Sequence, residues 1–288
     1  MKMHVFARML CALYTVVFSQ ITLADQHDIY RAVAPSLVRI SAETSNGSLF
    51  SGTAISLGNK KFVTNCHVTA MSETLSLVLY DETVYTPVTQ AAMPENDLCL
   101  LTFRNTDMPA INRRNSPLKL NEAVYALGYN GGARSLTFQK GEILALFPYN
   151  KGMVIQTSAA FTEGASGGAL TDKEGNLIGI LTFYGNNKKG RVYFALGLSW
   201  LPELLKTEAT RPSPFTQKPF WMEKLENLPY FLQAVHLREN ESWPQLLKLS
   251  EDWKKLFPND PNSGRFLLSA QHHLQKVVRP YDFDFAER

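Results

Sequence analysis

A chain of 288 residues with 45% hydrophobic and 11% aromatic side chains holds enough apolar material for one large domain or two smaller ones. Charged residues make up only 19% and the formal net charge is +3, with no basic stripe interleaved with aromatics, so nucleic acid is excluded as an expected partner. Cys-x-x-Cys and His-x-x-x-His spacings are absent, as is a glycine-rich phosphate loop ahead of a helix, so no metal or cofactor is expected.

The first segment reads as an export signal. Lys2 and Arg8 precede a short apolar stretch, Met9 to Ser19, and Thr22-Leu23-Ala24 supplies a small-residue cleavage site. The stretch falls short of the ~20 residues that span a bilayer. Residues 1–24 are therefore expected to be removed, leaving a nearly neutral chain in the periplasm or outside the cell, with no membrane span. Cys66 and Cys99 are then the remaining cysteines. An oxidising compartment permits them one disulfide, and two small buried thiols fit the count equally well.

From about Ser36 to Leu198, short apolar runs alternate with turn chemistry. They include Leu37–Ile40, Thr53–Leu57 before Gly58-Asn59, Leu75–Tyr80, Leu98–Phe103, Val124–Gly128, Gly141–Leu146, Met153–Gln156, Leu177–Phe183 and Val192–Leu198. Many are β-branched or alternating, which argues for an all-β sandwich or barrel and does not choose between them. Asn186 to Lys189 reads as a solvated hairpin loop.

The character changes near Lys206. Residues 206–218 are rich in proline and read as a linker, and 219–288 read as a helical C-terminal region. Trp221 to Leu237 forms one candidate helix interrupted at Pro229. Ser242 is placed to cap a second through Leu256, and Asp260-Pro261 opens a third, carrying Phe266, Ala270, His273 and Val277. The last two resemble a tetratricopeptide hairpin, which cannot bury its own face alone and so is expected to pack on the β-region or on a partner. His272 and His273 point in different directions on that helix and read as solvent-facing or partly packed. The region is expected to govern stability, assembly or partner choice more than chemistry.

Three local features carry chemistry. His67 ends an apolar strand in Phe62-Val63-Thr64-Asn65-Cys66-His67-Val68, Asp97 stands at the mouth of Leu98–Leu101, and Ser166 lies in Glu163-Gly164-Ala165-Ser166-Gly167-Gly168. A serine hydroxyl is a weak nucleophile until a base takes its proton, imidazole suits that task at neutral pH, and a buried carboxylate holds the imidazole tautomer. Glycines around the serine let backbone N–H groups, those of Gly164 and Ser166, face the reacting carbonyl as an oxyanion hole. Each feature alone is weak, but the order His, Asp, Ser along a β-rich chain is the chymotrypsin-type order. If His67 and Asp97 meet, Cys66 and Cys99 lie close as well.

Residues 34–205 resemble the protease domain of the HtrA/Deg family of trypsin-like peptidases. Ala34 to Ile40 resembles the family's first core strand, Ser51-Gly52-Thr53-Ala54-Ile55 with Val63 to Val68 its pre-histidine hairpin, and Ile155 to Ala160, Gly164 to Leu170 and Gly175 to Ile180 its serine region. The resemblance implies a chymotrypsin-like double β-barrel over 25–205, two six-stranded barrels divided near residue 116. It also implies an endopeptidase that needs no cofactor. Ala160, Phe161 and Thr162 would line the primary pocket opposite Leu181, Thr182 and Phe183, with an apolar residue preferred before the scissile bond. Ala165 stands where trypsin has an aspartate, so activation by a new N-terminus is not expected. Glu163 stands where the group often has a small residue. The region after Lys206 does not look like a PDZ domain.

The expectation is an exported serine endopeptidase acting on polypeptides, with a C-terminal region offering a surface for a protein partner or self-association. The alternatives are a protease-fold binding or chaperone module with a silent triad, and an esterase using the same site.

Overall fold

The computed structural model describes residues 26–278; the export segment expected over 1–24 lies outside them. A helix over 26–33 (α1) leads into the first β-unit: β1 (Leu37–Glu43), β2 (Leu49–Gly58), β3 (Lys61–Thr64), the one-turn helix α2 (Cys66–Thr69), β4 (Thr74–Val78), β5 (Val84–Tyr85), β6 (Thr89–Met93) and β7 (Leu98–Thr102). The second unit is β8 (Ala123–Gly128), β9 (Thr137–Tyr149), β10 (Gly152–Thr157), β11 (Ala169–Thr171), β12 (Leu177–Asn187) and β13 (Gly190–Gly197). After it come α3 (Leu201–Leu204), α4 (Tyr230–Glu239), α5 (Trp243–Leu256) and α6 (Pro261–Val278).

The fold is chymotrypsin-like, with one departure from two six-stranded barrels. The second unit is a closed six-stranded barrel in the order β10-β13-β12-β11-β8-β9, whereas the first is a seven-stranded sheet, β5-β4-β1-β2-β3-β7-β6, whose ladder does not close. Its terminal strand β6 is covered instead by the C-terminal chain: Gln90 and Thr210 exchange backbone hydrogen bonds of 2.8 and 2.9 Å. An uncovered strand edge is a template for wrong pairing, and the segment after Lys206 blocks this one at Gln90. That segment is thus docked chain rather than free linker. Pro212, Pro214 and Pro219 hold its backbone extended, and the Phe215 N–H donates to the Ala70 carbonyl at 2.7 Å.

The apolar run of β7 is continuous because both its faces are buried. Leu101 and Phe103 join Val38, Ile40 and Phe62 inside the first sheet, while Leu98 and Leu100 face a cluster that continues through the second barrel into the C-terminal helices. Short strands escaped the pattern: β5, β6 and β11 carry two to five residues each and too few apolar positions to register. Beyond the docked segment, no α-helix forms before Pro229. Residues 220–222 and 225–227 are single 3-10 turns, and Leu228, ahead of the proline, is extended with ψ 152°. Ser242 does occupy the N-cap position of α5, but its side chain makes no capping bond. Asp260 caps α6 through Oδ1, which accepts the Asn262 N–H at 2.9 Å.

α5 and α6 form the expected hairpin, and the β-region covers it. Phe147 of β9 stacks on Phe231 of α4 with centroids 4.7 Å apart and lies 6.4 Å from Phe266 of α6. Asn262 donates to the Leu146 carbonyl at 3.1 Å. The β12–β13 loop also reaches the helices, since Lys189 pairs with Glu241 at 3.0 Å and lies over Trp243, so it is not simply solvated. His273 stacks on Trp243 at 3.8 Å. Phe147→Ala is expected to destabilise the protein by about 3–5 kcal/mol and to expose the helical region first. Denaturant unfolding and limited proteolysis read this, and cleavage beginning in the β-region would contradict it.

Candidate active site

Asp97 is the most constrained residue of the cleft. It follows the 3-10 turn Pro94–Asn96, sits in the left-handed region (φ 55°, ψ 36°) and is fully buried. Asp tolerates this conformation better than most residues, and such backbone outliers cluster at functional sites. Burying a carboxylate is costly unless donors surround it. Here Oδ1 accepts the His67 backbone N–H at 2.8 Å, and Oδ2 accepts the His67 ring Nδ1–H at 2.7 Å and the Trp221 indole N–H at 3.0 Å. The Asp97 carbonyl takes the Asn65 amide at 3.0 Å and the Cys66 N–H at 3.3 Å.

His67 is delivered by β3, which pairs with β7 in a register that sets Thr64 opposite Cys99. Cys66 and Cys99 are bonded to each other, with Cα atoms 4.9 Å apart, so a covalent link ties the two chain segments that bring His67 to Asp97. With Nδ1–H committed to the carboxylate, Nε2 is left as the basic nitrogen. The imidazole remains partly open to solvent at 19% side-chain exposure.

Ser166 comes from the other unit, in the turn between β10 and β11. Its carbonyl accepts the Thr53 N–H of β2 at 2.8 Å, which anchors the turn against the strand preceding the His67 hairpin. The Ser166 hydroxyl donates to the Thr182 carbonyl at 3.1 Å and not to His67. The structure therefore brings His67 and Asp97 into contact and leaves the serine bonded to a neighbouring carbonyl. Two glycines are obligatory. Gly164 has φ +87°, and a Cβ there would stand 2.4 Å from the Tyr129 carbonyl; Gly167 has φ +85° and would meet the Thr53 carbonyl.

The peptide planes of this turn are fixed by outward bonds. The Glu163 carbonyl accepts the Gly131 N–H at 2.5 Å and the Ala165 carbonyl accepts the Gly168 N–H at 2.8 Å. In a trans peptide the N–H points opposite to the C=O, so the Gly164 and Ser166 N–H groups face the other way. Neither donates to any other group among the described residues.

Of the residues expected along the substrate pocket, Ala160 is half-buried and Thr162 exposed. Phe161 and Leu181 lie in the core of the second barrel. Thr182 is fully buried, with its hydroxyl donating to the Ile180 carbonyl at 2.8 Å. The side chains of Phe161, Leu181 and Thr182 are thus enclosed in the protein. Phe183 is covered by Trp221, stacked at 4.8 Å and 11°. Glu163 is exposed, 3.5 Å from the Tyr184 hydroxyl.

Sequence reasoning missed the parts played by Asn65 and Trp221, and named Thr182 only for the substrate pocket. Asn65 bridges Asp97 and the Thr182 hydroxyl, Thr182 holds the serine, and Trp221 reaches Asp97 from beyond the docked segment. For Trp221 the signal was slight: Phe220-Trp221, two adjacent aromatics in an otherwise polar stretch.

Residues 51–180 match the family model of the trypsin-like peptidase domain. A probable periplasmic serine endoprotease, DegP-like, of Hahella chejuensis is 32% identical over 126 residues, covering 41% of this chain and 26% of that one. The serine endoprotease DegS of Salmonella typhimurium is 27% identical over 206 residues, covering 65% of this chain and 56% of its own. The chain thus spans from about a quarter to just over half the length of these curated relatives. Among solved structures, the HtrA-type protease AlgW with tripeptide superposes with TM-score 0.56 at 27% identity, covering 63% of this chain and 62% of that one. The Rv3671c protease from M. tuberculosis in its active form reaches TM-score 0.58 at 22% identity, covering 67% and 89%, a likeness of fold.

The Cys66–Cys99 link closes a loop with a sequence separation of 33. Replacing both cysteines by serine is expected to lower unfolding free energy by about 3–4 kcal/mol through the freed loop entropy. An unchanged denaturation midpoint would contradict this.

Proposed function

We propose that this chain, which carries a trypsin-like peptidase domain like that of the HtrA-type proteases, is an exported serine endopeptidase with His67, Asp97 and Ser166 as its triad. The observation that carries the reading is the buried Asp97 carboxylate bonded to His67 Nδ1 at 2.7 Å, which leaves Nε2 as the basic nitrogen of the ring. Catalysis begins when the Ser166 hydroxyl leaves the Thr182 carbonyl and takes up a bond to Nε2. His67 accepts the proton as Oγ attacks the scissile carbonyl, and Asp97 stabilises the imidazolium. The free N–H groups of Gly164 and Ser166 receive the developing oxyanion, each worth about 10²–10³ in turnover. His67 then returns the proton to the leaving amine, and water hydrolyses the acyl-enzyme by the same steps reversed.

Substrates are polypeptides. Ala160 sits where a basic-residue pocket would carry an acid, so an apolar side chain is favoured before the cleaved bond. The disulfide and the periplasmic relatives support a location in the periplasm or outside the cell, with residues 1–24 as the removable signal. No helix among the described residues is long and apolar enough to cross a membrane.

The Ser166 hydroxyl's bond to Thr182 favours a second reading, a silent binding module of the same fold. Fluorophosphonate labelling and cleavage of unfolded casein separate the two. The endopeptidase reading requires labelling at Ser166 and a loss of turnover on the order of 10⁶ in Ser166→Ala. Absence of both signals from the unaltered protein would support the binding module. Because only neutral imidazole accepts the serine proton, kcat/KM is expected to fall as pH drops through the His67 titration. A flat profile between about pH 5 and 8 would remove His67 as the base.

A further inference from the structure

We propose that Trp221, supplied by the C-terminal segment, is a positioning residue for the Asp97–His67 pair, so that the protease site is completed from outside the two β-units. This rests on the endopeptidase reading above.

Asp97 is buried beyond the reach of solvent, so each carboxylate lone pair needs a protein donor. His67 supplies two, its backbone N–H and Nδ1–H. The side chains beside the site do not supply the rest. The Thr182 hydroxyl is spent on the Ile180 carbonyl while accepting from Asn65 Nδ2, and the Ser166 hydroxyl is spent on the Thr182 carbonyl. The remaining side-chain donor to the carboxylate among the described residues is the Trp221 indole N–H, 3.0 Å from Oδ2. Oδ2 is the oxygen that also holds Nδ1–H. An indole donates and cannot accept, so it cannot draw the Nδ1 proton away or relay it. It pins Oδ2 and shares its charge while the imidazole keeps one tautomer.

The indole is itself rigidly placed. Its face stacks on Phe183 at 4.8 Å, and its ring meets His67 edge to face at 5.3 Å and 90°. Phe220 beside it is buried, with centroids 4.6 Å from Tyr149 and 6.5 Å from Phe231 of α4. The Thr210 and Phe215 backbone bonds hold the preceding chain against β6 and Ala70, directly after α2. The contact is thus anchored on both sides, to the first sheet and to the helices.

Asp97 is the charged group bonded to the His67 ring. The other contacts from elements packed there, Cys66 in its disulfide, Asn65, Thr182 and Trp221, do not titrate near neutrality, and Ser166 acts only as a hydroxyl. Glu95 on the 3-10 turn and Glu223 and Lys224 after Trp221 are exposed.

The test is Trp221→Phe in the full chain, which retains an aromatic ring and removes the N–H. A carboxylate relieved of one donor holds the imidazolium more firmly. The acid limb of kcat/KM and the NMR titration midpoint of the His67 ring should therefore both move to higher pH than in the unaltered protein. With Oδ2 no longer pinned the ring loses its fixed orientation, and this outweighs the firmer hold on the imidazolium, so kcat should fall about tenfold with KM nearly unchanged, and fluorophosphonate labelling should slow by a similar factor. Unmoved profiles with an unaltered labelling rate would overturn the proposal, leaving the indole as packing alone. Faster labelling or cleavage would also overturn it, making Trp221 an occluding plug. If the unaltered protein does not label, the endopeptidase reading fails, while the NMR comparison still decides the Trp221 contact. Should Trp221→Phe not fold, hydrogen exchange of the Trp221 indole N–H in the unaltered protein decides: slow exchange supports the bond to Oδ2, and exchange at the rate of an open indole overturns it.

Discussion

A carboxylate enclosed by protein must be satisfied by protein, and the placement of Asp97 turns that requirement into architecture. Its carboxylate donors come from two separate stretches of chain, α2 through His67 and the C-terminal segment through Trp221, while Asn65 just ahead of α2 holds the Asp97 main-chain carbonyl. Each donor must arrive in register, so the strand pairing of β3 with β7, the Cys66–Cys99 link and the docking of residues 206–219 all converge on one side chain. A left-handed backbone at a non-glycine residue persists because these partners over-determine it.

The serine turn obeys the complementary constraint, that backbone N–H groups stay unspent. Outward bonds from the Glu163 and Ala165 carbonyls orient two peptides so that their following N–H groups have no partner among the described residues, and glycines at 164 and 167 allow the close approach to Tyr129 and Thr53. One half of the cleft therefore gathers donors around a buried charge, and the other withholds two. In the proposed mechanism these are the same preparation, because both fix dipoles before charge develops and avoid reorganisation when it does.

The C-terminal region links to the β-units through aromatic packing and backbone pairing. Phe147, Phe231 and Phe266 form a stack between β9, α4 and α6, and Phe220 carries that packing to the residue beside the cleft. A helical hairpin with an unpaired apolar face is unstable alone, and the barrel wall meets that need. The same docking bridges the edge strand β6 of the open first sheet at Gln90.

The sequence by itself determined the β-rich character of residues 37–197, the helices at 243–256 and 261–278, and the candidates His67, Asp97 and Ser166. Apolar alternation, prolines and glycine-rich turns are local signals, written within a few residues of the structure they specify. Tertiary structure alone decided that the first sheet stays open, that the proline-rich segment docks on β6, that the Ser166 hydroxyl rests on Thr182, and that Trp221 reaches Asp97. Those outcomes depend on pairings between residues as much as 124 positions apart. Which donor meets a buried acceptor is settled by the packing of whole elements, and no short window of sequence records it.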